Sequence, residues 1–264
     1  REGVCFMPAG AQRMQPSAVA DGATACWPPM TLTRGPGDRI VWGEYGANRE
    51  RRGVRLFVSD DGARTFDVAY TFAPGEIRHV HNLYYDSGLD KYWVLAGDHE
   101  AEPGIGLMSA ELDSLEWVVK GDQTHRAVCV FDLGDRLVYG TDTEMAPNAV
   151  MSLDKASGKL RRVAETDGSC IHACRFGSVY AITTSVEPSE INPCRDAKLL
   201  LSRDAERWHE VLSAPKDRWN ENYFQFGSMV LPRGASNRDT IVVSGQALAG
   251  MDNRLLFGTW DAMK

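Results

Sequence analysis

Apolar residues run together or alternate with polar ones over short stretches along the whole chain, and turns rich in Gly, Asp and Asn separate these stretches. Such a pattern is typical of β-strands, since amphipathic helices need a longer segment with a 3.6-residue period. The 25 glycines and 12 prolines are spread along the chain, which predicts many turns and little long helix. We therefore expect an all-β protein.

The predicted strands follow an order that recurs five times, with a mean period of about 50 residues. In each repeat an inner strand precedes a second strand that often ends in Gly and a polar residue, and a third strand closes on an Asp-containing turn. This period is typical of propeller blades, so we expect a single-domain, five-bladed β-propeller of four-stranded antiparallel blades. The expected blades span residues 24–75, 76–122, 123–168, 169–215 and 222–264, with residues 1–8 closing the last blade as its outer strand.

One predicted turn is more specific than the others. Residues 59–66 have the sequence Ser-Asp-Asp-Gly-Ala-Arg-Thr-Phe, and residues 202–208 contain a shortened version. The turn resembles the Asp box of sialidase-like (BNR-repeat) propellers, Ser-x-Asp-x-Gly-x-Thr-Trp. The resemblance implies that Asp61 and Asp204 satisfy backbone groups of a hairpin while the aromatic residue packs between sheets. The catalytic arginines, Tyr–Glu pair and acid Asp of sialidases have no counterparts that we can place, so the resemblance implies the fold without sialidase activity.

Composition excludes several classes of protein. The chain has 264 residues, of which 43% are hydrophobic and 25% charged, and its net charge is −7. An acidic chain is unsuited to general nucleic-acid binding, which relies on basic side chains that displace counterions. No stretch approaches the roughly 18 apolar residues that a membrane-spanning helix needs. We therefore expect neither nucleic acid nor a membrane span, and the oligomeric state is left open.

Six cysteines bear on the compartment. Cys129 lies within an apolar strand, which favours a buried core thiol. Cys5 with Cys26, and Cys174 with Cys194, are candidates for disulfides across irregular segments. Disulfides form outside the cytoplasm, so these pairs favour an extracytoplasmic location.

Polar residues occupy similar positions at the strand ends of successive predicted blades. They are Glu44 and Tyr45 in the first blade, Arg78, His79, His81, Asp98 and His99 in the second, Arg126 and Asp142 in the third, His172 in the fourth, and Tyr223 and Gln225 in the fifth. In a propeller the loops of one rim form a shared concave site. Charged groups gathered in such a place are costly to desolvate unless they bind something, so the set indicates a ligand site.

Two enzymatic reactions fit this set of residues. The leading hypothesis is a glycoside hydrolase, which needs two carboxyl groups at the scissile bond, and Asp98, Asp142 and Glu44 are its candidates. The alternative is a lyase that removes a proton from a uronic acid, with His and Tyr as base and acid and an Arg or a metal facing the substrate carboxylate. His79 and His81 are its candidates, and alternate residues of a strand face one side.

The remaining residues are expected to bind substrate. They are Arg78, Arg126, His99, His172, Tyr45, Tyr223 and Gln225. Arginines can grip an acidic sugar, and aromatic rings can stack on sugar faces. The pattern requires no cofactor, but His79 and His81 can supply two ligands to a divalent metal. A third hypothesis is a propeller that binds carbohydrate or protein without catalysis.

Overall fold

The computed structural model of the chain describes residues 4–19, 27–221 and 223–263. Strands dominate these residues, and the described helices are two three-residue 3-10 segments and α1 (Trp260–Met263). None of the helices in these ranges is long and apolar enough to cross a bilayer. The expected all-β class is therefore confirmed. The chain divides into two compact units, Arg1–Arg126 and Ala127–Lys264.

The described residues of the first unit form a hairpin and two larger sheets. Its described strands are β1 (Cys5–Phe6), β2 (Gln15–Pro16), β3 (Ala18–Val19), β4 (Thr33–Arg34), β5 (Ile40–Gly43), β6 (Arg55–Ser59), β7 (Thr65–Thr71), β8 (Val80–Asp86), β9 (Lys91–Ala96), β10 (Gly104–Ser109) and β11 (Leu115–Lys120). β1 pairs with β2, and a five-stranded sheet has the order β3-β7-β6-β5-β4. β8 to β11 form a four-stranded antiparallel sheet in chain order.

Burial explains the strand sequences of this unit. β5 and β9 lie inside their sheets, and both are almost continuously apolar and buried. The outer strand β11 contains partly buried and exposed positions and no fully buried one. Val41, Leu56, Val80 and Val94 come from both large sheets and share one core cluster. The four-stranded sheet is thus anchored against the five-stranded one within the first unit.

Two sheets are formed by the part of the second unit that the structure describes. Its described strands are β12 (Ala127–Asp132), β13 (Arg136–Thr141), β14 (Ala149–Asp154), β15 (Leu160–Glu165), β16 (Ser169–Phe176), β17 (Val179–Val186), β18 (Asp196–Ser202), β19 (His209–Pro215), β20 (Gly227–Val230), β21 (Gly234–Ser236), β22 (Ile241–Gln246) and β23 (Leu255–Gly258). β12 to β15 form a four-stranded antiparallel sheet. β16 to β23 form one eight-stranded sheet, in which β17 pairs with β20.

The predicted order of strands is confirmed in both units, but the sheets differ in size from the expected blades. Each predicted second strand is present, as β5, β9, β13, β17 and β22. The described sheets have two, four, four, eight and five strands. The eight-stranded sheet arises because β17 bonds directly to β20, which merges the predicted fourth and fifth blades. The count of five blades therefore stays a prediction.

The amino-terminal segment pairs differently from our expectation. We expected residues 1–8 to close the last blade, whereas Cys5–Phe6 pairs with Gln15–Pro16. Ser17 then donates its backbone N–H to Val4 O at 3.0 Å and its hydroxyl to Ala63 O at 2.6 Å. These bonds hold the described part of the segment to the first unit, where β3 runs parallel to β7.

The hydrogen bonds predicted for the turn between β6 and β7 are confirmed. Ser59 Oγ donates to Asp61 at 2.9 Å and accepts from the N–H of Ala63 at 3.0 Å. Asp61 also accepts from two backbone N–H groups of the hairpin, at 2.9 and 3.0 Å. The bond from the Thr65 N–H is the main reason that the pKa of Asp61 falls to about 2. Phe66 is fully buried, as its place in the motif predicts.

The second motif has the same structural role. Ser202 Oγ donates to Asp204 at 3.1 Å, and two backbone N–H groups donate to the same carboxylate at 2.8 and 3.0 Å. Trp208 stacks on Phe131 of another sheet, with ring centroids 6.3 Å apart. The aromatic residue therefore packs between sheets of the second unit, as expected.

The predicted disulfide between Cys174 and Cys194 is wrong, because both thiols are free and buried. Cys174 belongs to the core cluster of the second unit, while Cys194 Sγ lies 3.6 Å from a backbone carbonyl of β17. Cys129 is partly buried, and burial raises the pKa of its thiol. Cys5 is exposed, and its suggested partner Cys26 lies outside the described residues. The extracytoplasmic location stays a prediction.

Candidate functional site

Two adjacent strands of the first unit bring two imidazoles and a carboxylate together. His79 precedes β8 and His81 lies within it, so both side chains project to one side. The pairing of β8 with β9 shifts register at His81, and such bulges re-aim side chains. Gly97 follows β9 and donates its N–H to His79 O at 3.1 Å, which places Asp98 beside both rings.

These three side chains form a compact group that we call the His–Asp cluster (His79, His81 and Asp98). His79 Nε2 lies 2.9 Å from His81 Nε2, and Asp98 Oδ1 lies 3.8 and 3.7 Å from these two atoms. All three residues are buried. Among the residues that the structure describes, this is the one group of three or more His, Cys, Asp or Glu side chains whose ligand atoms lie within 4.8 Å of one another.

The hydrogen bonds of the cluster define its proton positions. His79 Nδ1 lies 2.9 Å from Gly46 O, which can only accept, so Nδ1 carries the hydrogen. His79 Nε2 therefore presents a lone pair, and His81 Nε2 donates to it. Burial, assisted by His81, lowers the pKa of His79 to about 3, so His79 is neutral near pH 7.

Asp98 lies between two guanidinium groups. Arg78 Nη1 is 2.5 Å from Oδ2, and Arg126 Nη2 is 2.6 Å from Oδ1. Burial opposes ionisation of Asp98, but His81 and Arg126 outweigh it and hold the pKa of this carboxyl well below its usual range. Oδ1 has no hydrogen bond of regular geometry to any described residue. The buried carboxylate is therefore ionised, and its Oδ1 contacts Arg126 without a hydrogen bond of regular geometry.

Partly exposed side chains adjoin the buried cluster. The Tyr45 ring is 37% exposed, and its centroid lies 4.3 Å from that of His79 and 6.0 Å from that of His81. The His99 side chain is 46% exposed, with Nε2 3.8 Å from Asp98 Oδ2 and 2.5 Å from Arg78 Nη1. The cluster thus connects to solvent through groups that can contact a ligand.

Glu102 is a supporting residue that the sequence pattern missed. Its Oε2 accepts from the backbone N–H groups of Arg78 and Asp98, at 3.0 and 3.4 Å, and its other oxygen forms an ion pair with Arg51. Glu102 lies in a loop without periodicity. Gly97 is the sequence feature that could have indicated this loop contact. Its φ of 85° and its close approach to Glu102 O exclude a side chain at this position.

Glu44 does not join the cluster and has a structural environment. Its side chain is fully buried and accepts from the N–H groups of Trp27 and Arg55, at 3.2 and 3.0 Å. The Arg55 guanidinium bonds to both carboxylate oxygens, at 2.8 and 3.2 Å. A carboxylate enclosed in this way cannot reach a substrate. We therefore assign Glu44 a structural role instead of the catalytic one that we predicted.

Four other predicted site residues belong to the second unit. Asp142 is buried just after β13, and His172 is a partly buried residue of β16. Burial, followed by the charge of Arg233, lowers the pKa of His172 to about 4. Tyr223 and Gln225 are exposed in the segment before β20. Their grouping with the residues of the first unit stays a prediction.

No family model and no curated protein matches this chain. Its structure is similar to a putative TolB from Agrobacterium tumefaciens, with a TM-score of 0.54 and 9% identity over 80% of this chain and 73% of that one. The β-propeller domain of the Trilobed protease from Pyrococcus furiosus has a TM-score of 0.51 and 9% identity, over 94% of this chain and 68% of that one. The GH74 enzyme from Niastella koreensis has a TM-score of 0.53 and 11% identity, over 88% of this chain and 38% of that one.

These similarities concern the fold alone, because the identities are very low. The similar structures are β-propellers, so the predicted propeller class is confirmed. The resemblance to sialidase-like propellers rests on the two turn motifs and receives no support from these comparisons.

Proposed function

We propose that the first unit acts on a glycan that carries carboxylate groups, and that it cleaves this glycan by β-elimination. The observation that supports the proposal is the ionised Asp98 held between Arg78 and Arg126, beside a buried imidazole pair and close to the partly exposed Tyr45. The positive charge of this group favours an acidic ligand, and its single carboxylate, which is ionised, favours elimination over hydrolysis.

The charge balance of the site favours an anionic substrate. Asp98 carries one negative charge and its two arginines carry two positive charges, so the formal charge is at least +1 with His79 neutral. Arg78 is the more accessible arginine, with 25% of its side chain exposed against 10% for Arg126. Guanidinium groups match carboxylates in geometry and charge, so a uronic acid fits this surface better than a neutral sugar.

The two carboxylates of the first unit that we predicted as catalytic, Asp98 and Glu44, do not suit a glycoside hydrolase. Such enzymes need one protonated carboxyl group that donates to the leaving oxygen, and a second carboxylate about 5–10 Å away. Two arginines keep Asp98 ionised, and Glu44 is enclosed by Trp27 and Arg55. Neither can therefore serve as the acid, which leaves the leading sequence hypothesis without either of its two predicted donors in this unit.

Elimination requires groups that this site does contain. A base takes the proton from C5 of the uronate, the C4–O4 bond breaks, a C4–C5 double bond forms, and the leaving oxygen gains a proton. Positive charge at the substrate carboxylate stabilises the electron density that develops during proton removal. We assign that charge to Arg78. We assign both proton transfers to the Tyr45 oxygen, which as a phenolate takes the C5 proton and then gives it to the leaving oxygen. Tyr45 lies beside the cluster and reaches solvent.

A glycan panel with two readouts tests the proposal. Uronate polymers are compared with the same polymers after reduction of their carboxyl groups, and both ultraviolet absorbance of an unsaturated product and new reducing ends are recorded. We expect unsaturated product from at least one uronate polymer and none from its reduced form. Reducing ends without unsaturation would indicate hydrolysis, and saturable binding without any product would indicate a binding propeller. Either result rejects the proposal.

Matched tyrosine variants test the assigned role. Tyr45→Phe removes a proton-transferring hydroxyl, and we expect kcat to fall about 10²–10⁴-fold. Tyr85→Phe is the control, because the Tyr85 hydroxyl bonds to Asp90 at 2.6 Å in the exposed turn between β8 and β9. Equal activity of the two variants would remove Tyr45 from the mechanism.

A further inference from the structure

We propose that His79 Nε2, His81 Nε2 and Asp98 Oδ1 bind one divalent transition-metal ion. The role that we give to the ion rests on the proposed function, whereas its binding can be measured without any substrate.

The three atoms are spaced as ligands of one ion. Their separations of 2.9, 3.7 and 3.8 Å place them on a circle with a radius of about 2.0 Å. An ion near the centre of this circle is therefore about 2.0 Å from each atom. Zn²⁺ lies about 2.0–2.2 Å from histidine nitrogen and carboxylate oxygen, so the ion fits with little movement of the side chains.

The surroundings of His79 orient its ring for metal binding. Histidine ligands usually donate their other ring N–H to a carbonyl or carboxylate, which directs the lone pair to the metal. The bond from His79 Nδ1 to Gly46 O, at 2.9 Å, is of this kind. His81 Nε2 donates to His79 Nε2 at 2.9 Å, so it must give up that hydrogen before it binds an ion.

The surroundings of Asp98 direct Oδ1 towards the two imidazoles. Arg78 holds Oδ2 and so fixes the carboxylate plane, while Oδ1 lacks a regular hydrogen bond within the described structure. Arg126 Nη2 lies 2.6 Å from Oδ1 and competes with an ion. Arg126 has a second acceptor in the backbone carbonyl of Asp98, 3.3 Å from Nη1, so it can stay attached when the ion takes Oδ1.

Three protein ligands leave at least one coordination position open, which is typical of catalytic metal sites. The two arginines raise the electrostatic cost of a divalent cation at this place, so we expect the ion to bind more tightly when an anion completes its coordination. In the proposed function that anion is the uronate carboxylate, and the ion adds to the charge that Arg78 supplies. The two-nitrogen, one-oxygen donor set suits Zn²⁺ or Mn²⁺ better than Mg²⁺, which prefers oxygen and water.

Calorimetric titration of the chelator-treated 264-residue chain with Zn²⁺ or Mn²⁺, in the absence of glycan, tests the site. We expect one ion per chain with the wild-type protein and weaker binding of Mg²⁺. His79→Gln and His81→Gln should each weaken binding about 100-fold or more, because loss of a ligand exceeds the 10–100-fold effect of an outer partner. His209→Gln, at an exposed histidine of the second unit, should bind like the wild type.

A spectroscopic measurement keeps the proposal testable if a ligand variant fails to fold. The zinc X-ray absorption spectrum of the wild-type complex should show two imidazole ligands and an oxygen shell. Absence of stoichiometric binding, a spectrum without imidazole, or undiminished binding by folded ligand variants would overturn the metal site. Stoichiometric binding without turnover of any uronate glycan would keep the site and reject the proposed function. Turnover that survives removal of all metal would reject the role of the ion while keeping elimination.

Discussion

Glu44 provides a quantitative test of the difference between a structural and a catalytic carboxylate. Glu44→Ala removes a fully buried anion and leaves the Arg55 guanidinium and two backbone N–H groups without their acceptor. Breaking a buried ion pair from one side costs about 3–5 kcal/mol. The Arg55 side chain is 21% exposed, so water recovers part of the loss, and we expect a value near the lower limit, about 3 kcal/mol. Glu44→Gln keeps the shape and one acceptor oxygen, and we expect a loss of about 1–2 kcal/mol.

Urea unfolding and thermal unfolding of the full chain measure these changes. For a chain of this size, about 3 kcal/mol corresponds to a midpoint shift of roughly 6–12 °C. Glu50→Ala is the matched control, since Glu50 is an exposed residue of the following loop, and its effect should stay within about 0.5 kcal/mol. A Glu44→Gln variant with wild-type stability and no activity would refute the structural assignment.

Three further predictions concern stability and the cysteines. The pKa of Asp61 is lowered to about 2 from an ordinary 3.8, so its ionised form stabilises the fold above pH 4 and this contribution disappears as the pH falls towards 2. The Asp61→Asn variant should therefore show a flatter dependence of the urea midpoint on pH over this range. Parallel profiles of the variant and the wild type would contradict the role of the turn. Gly43→Ala should destabilise the protein by about 1–3 kcal/mol in urea unfolding, because the new methyl group would lie 2.5 Å from Val80 Cβ. An unchanged urea midpoint would contradict this packing. Cys174 and Cys194 should resist a thiol reagent at pH 7 in the folded protein and react after denaturation, since burial raises the pKa of both thiols. Mass spectrometry measures this labelling, and fast labelling of both cysteines in the folded state would contradict their burial.

Most strands could be predicted from the sequence because their signals are local. Apolar stretches such as β9 and the glycines that follow them repeat with the blade period, and the turn around Asp61 is specified by side chains within eight residues. The two-residue strands β1 and β2 are too short for any period, so the pairing of Cys5–Phe6 was missed. The contact between β17 and β20 depends on how close two sheet edges lie, which strand patterns do not record.

The candidate site was predictable where strand ends share one edge. His79, His81 and Asp98 lie at matching ends of paired strands, so knowledge of the pairing brings them together. Glu44 also ends a strand, but its enclosure by arginine depends on a loop packed over it. Glu102 acts from an irregular loop through backbone N–H groups, and no residue pattern marks such a role.

Mass spectrometry of the complete product set from a defined uronate oligosaccharide separates elimination from hydrolysis. Elimination adds no water, so we expect two fragments whose masses sum to that of the substrate, one of them carrying a double bond. Fragments that together exceed the substrate by one water would show hydrolysis and refute elimination.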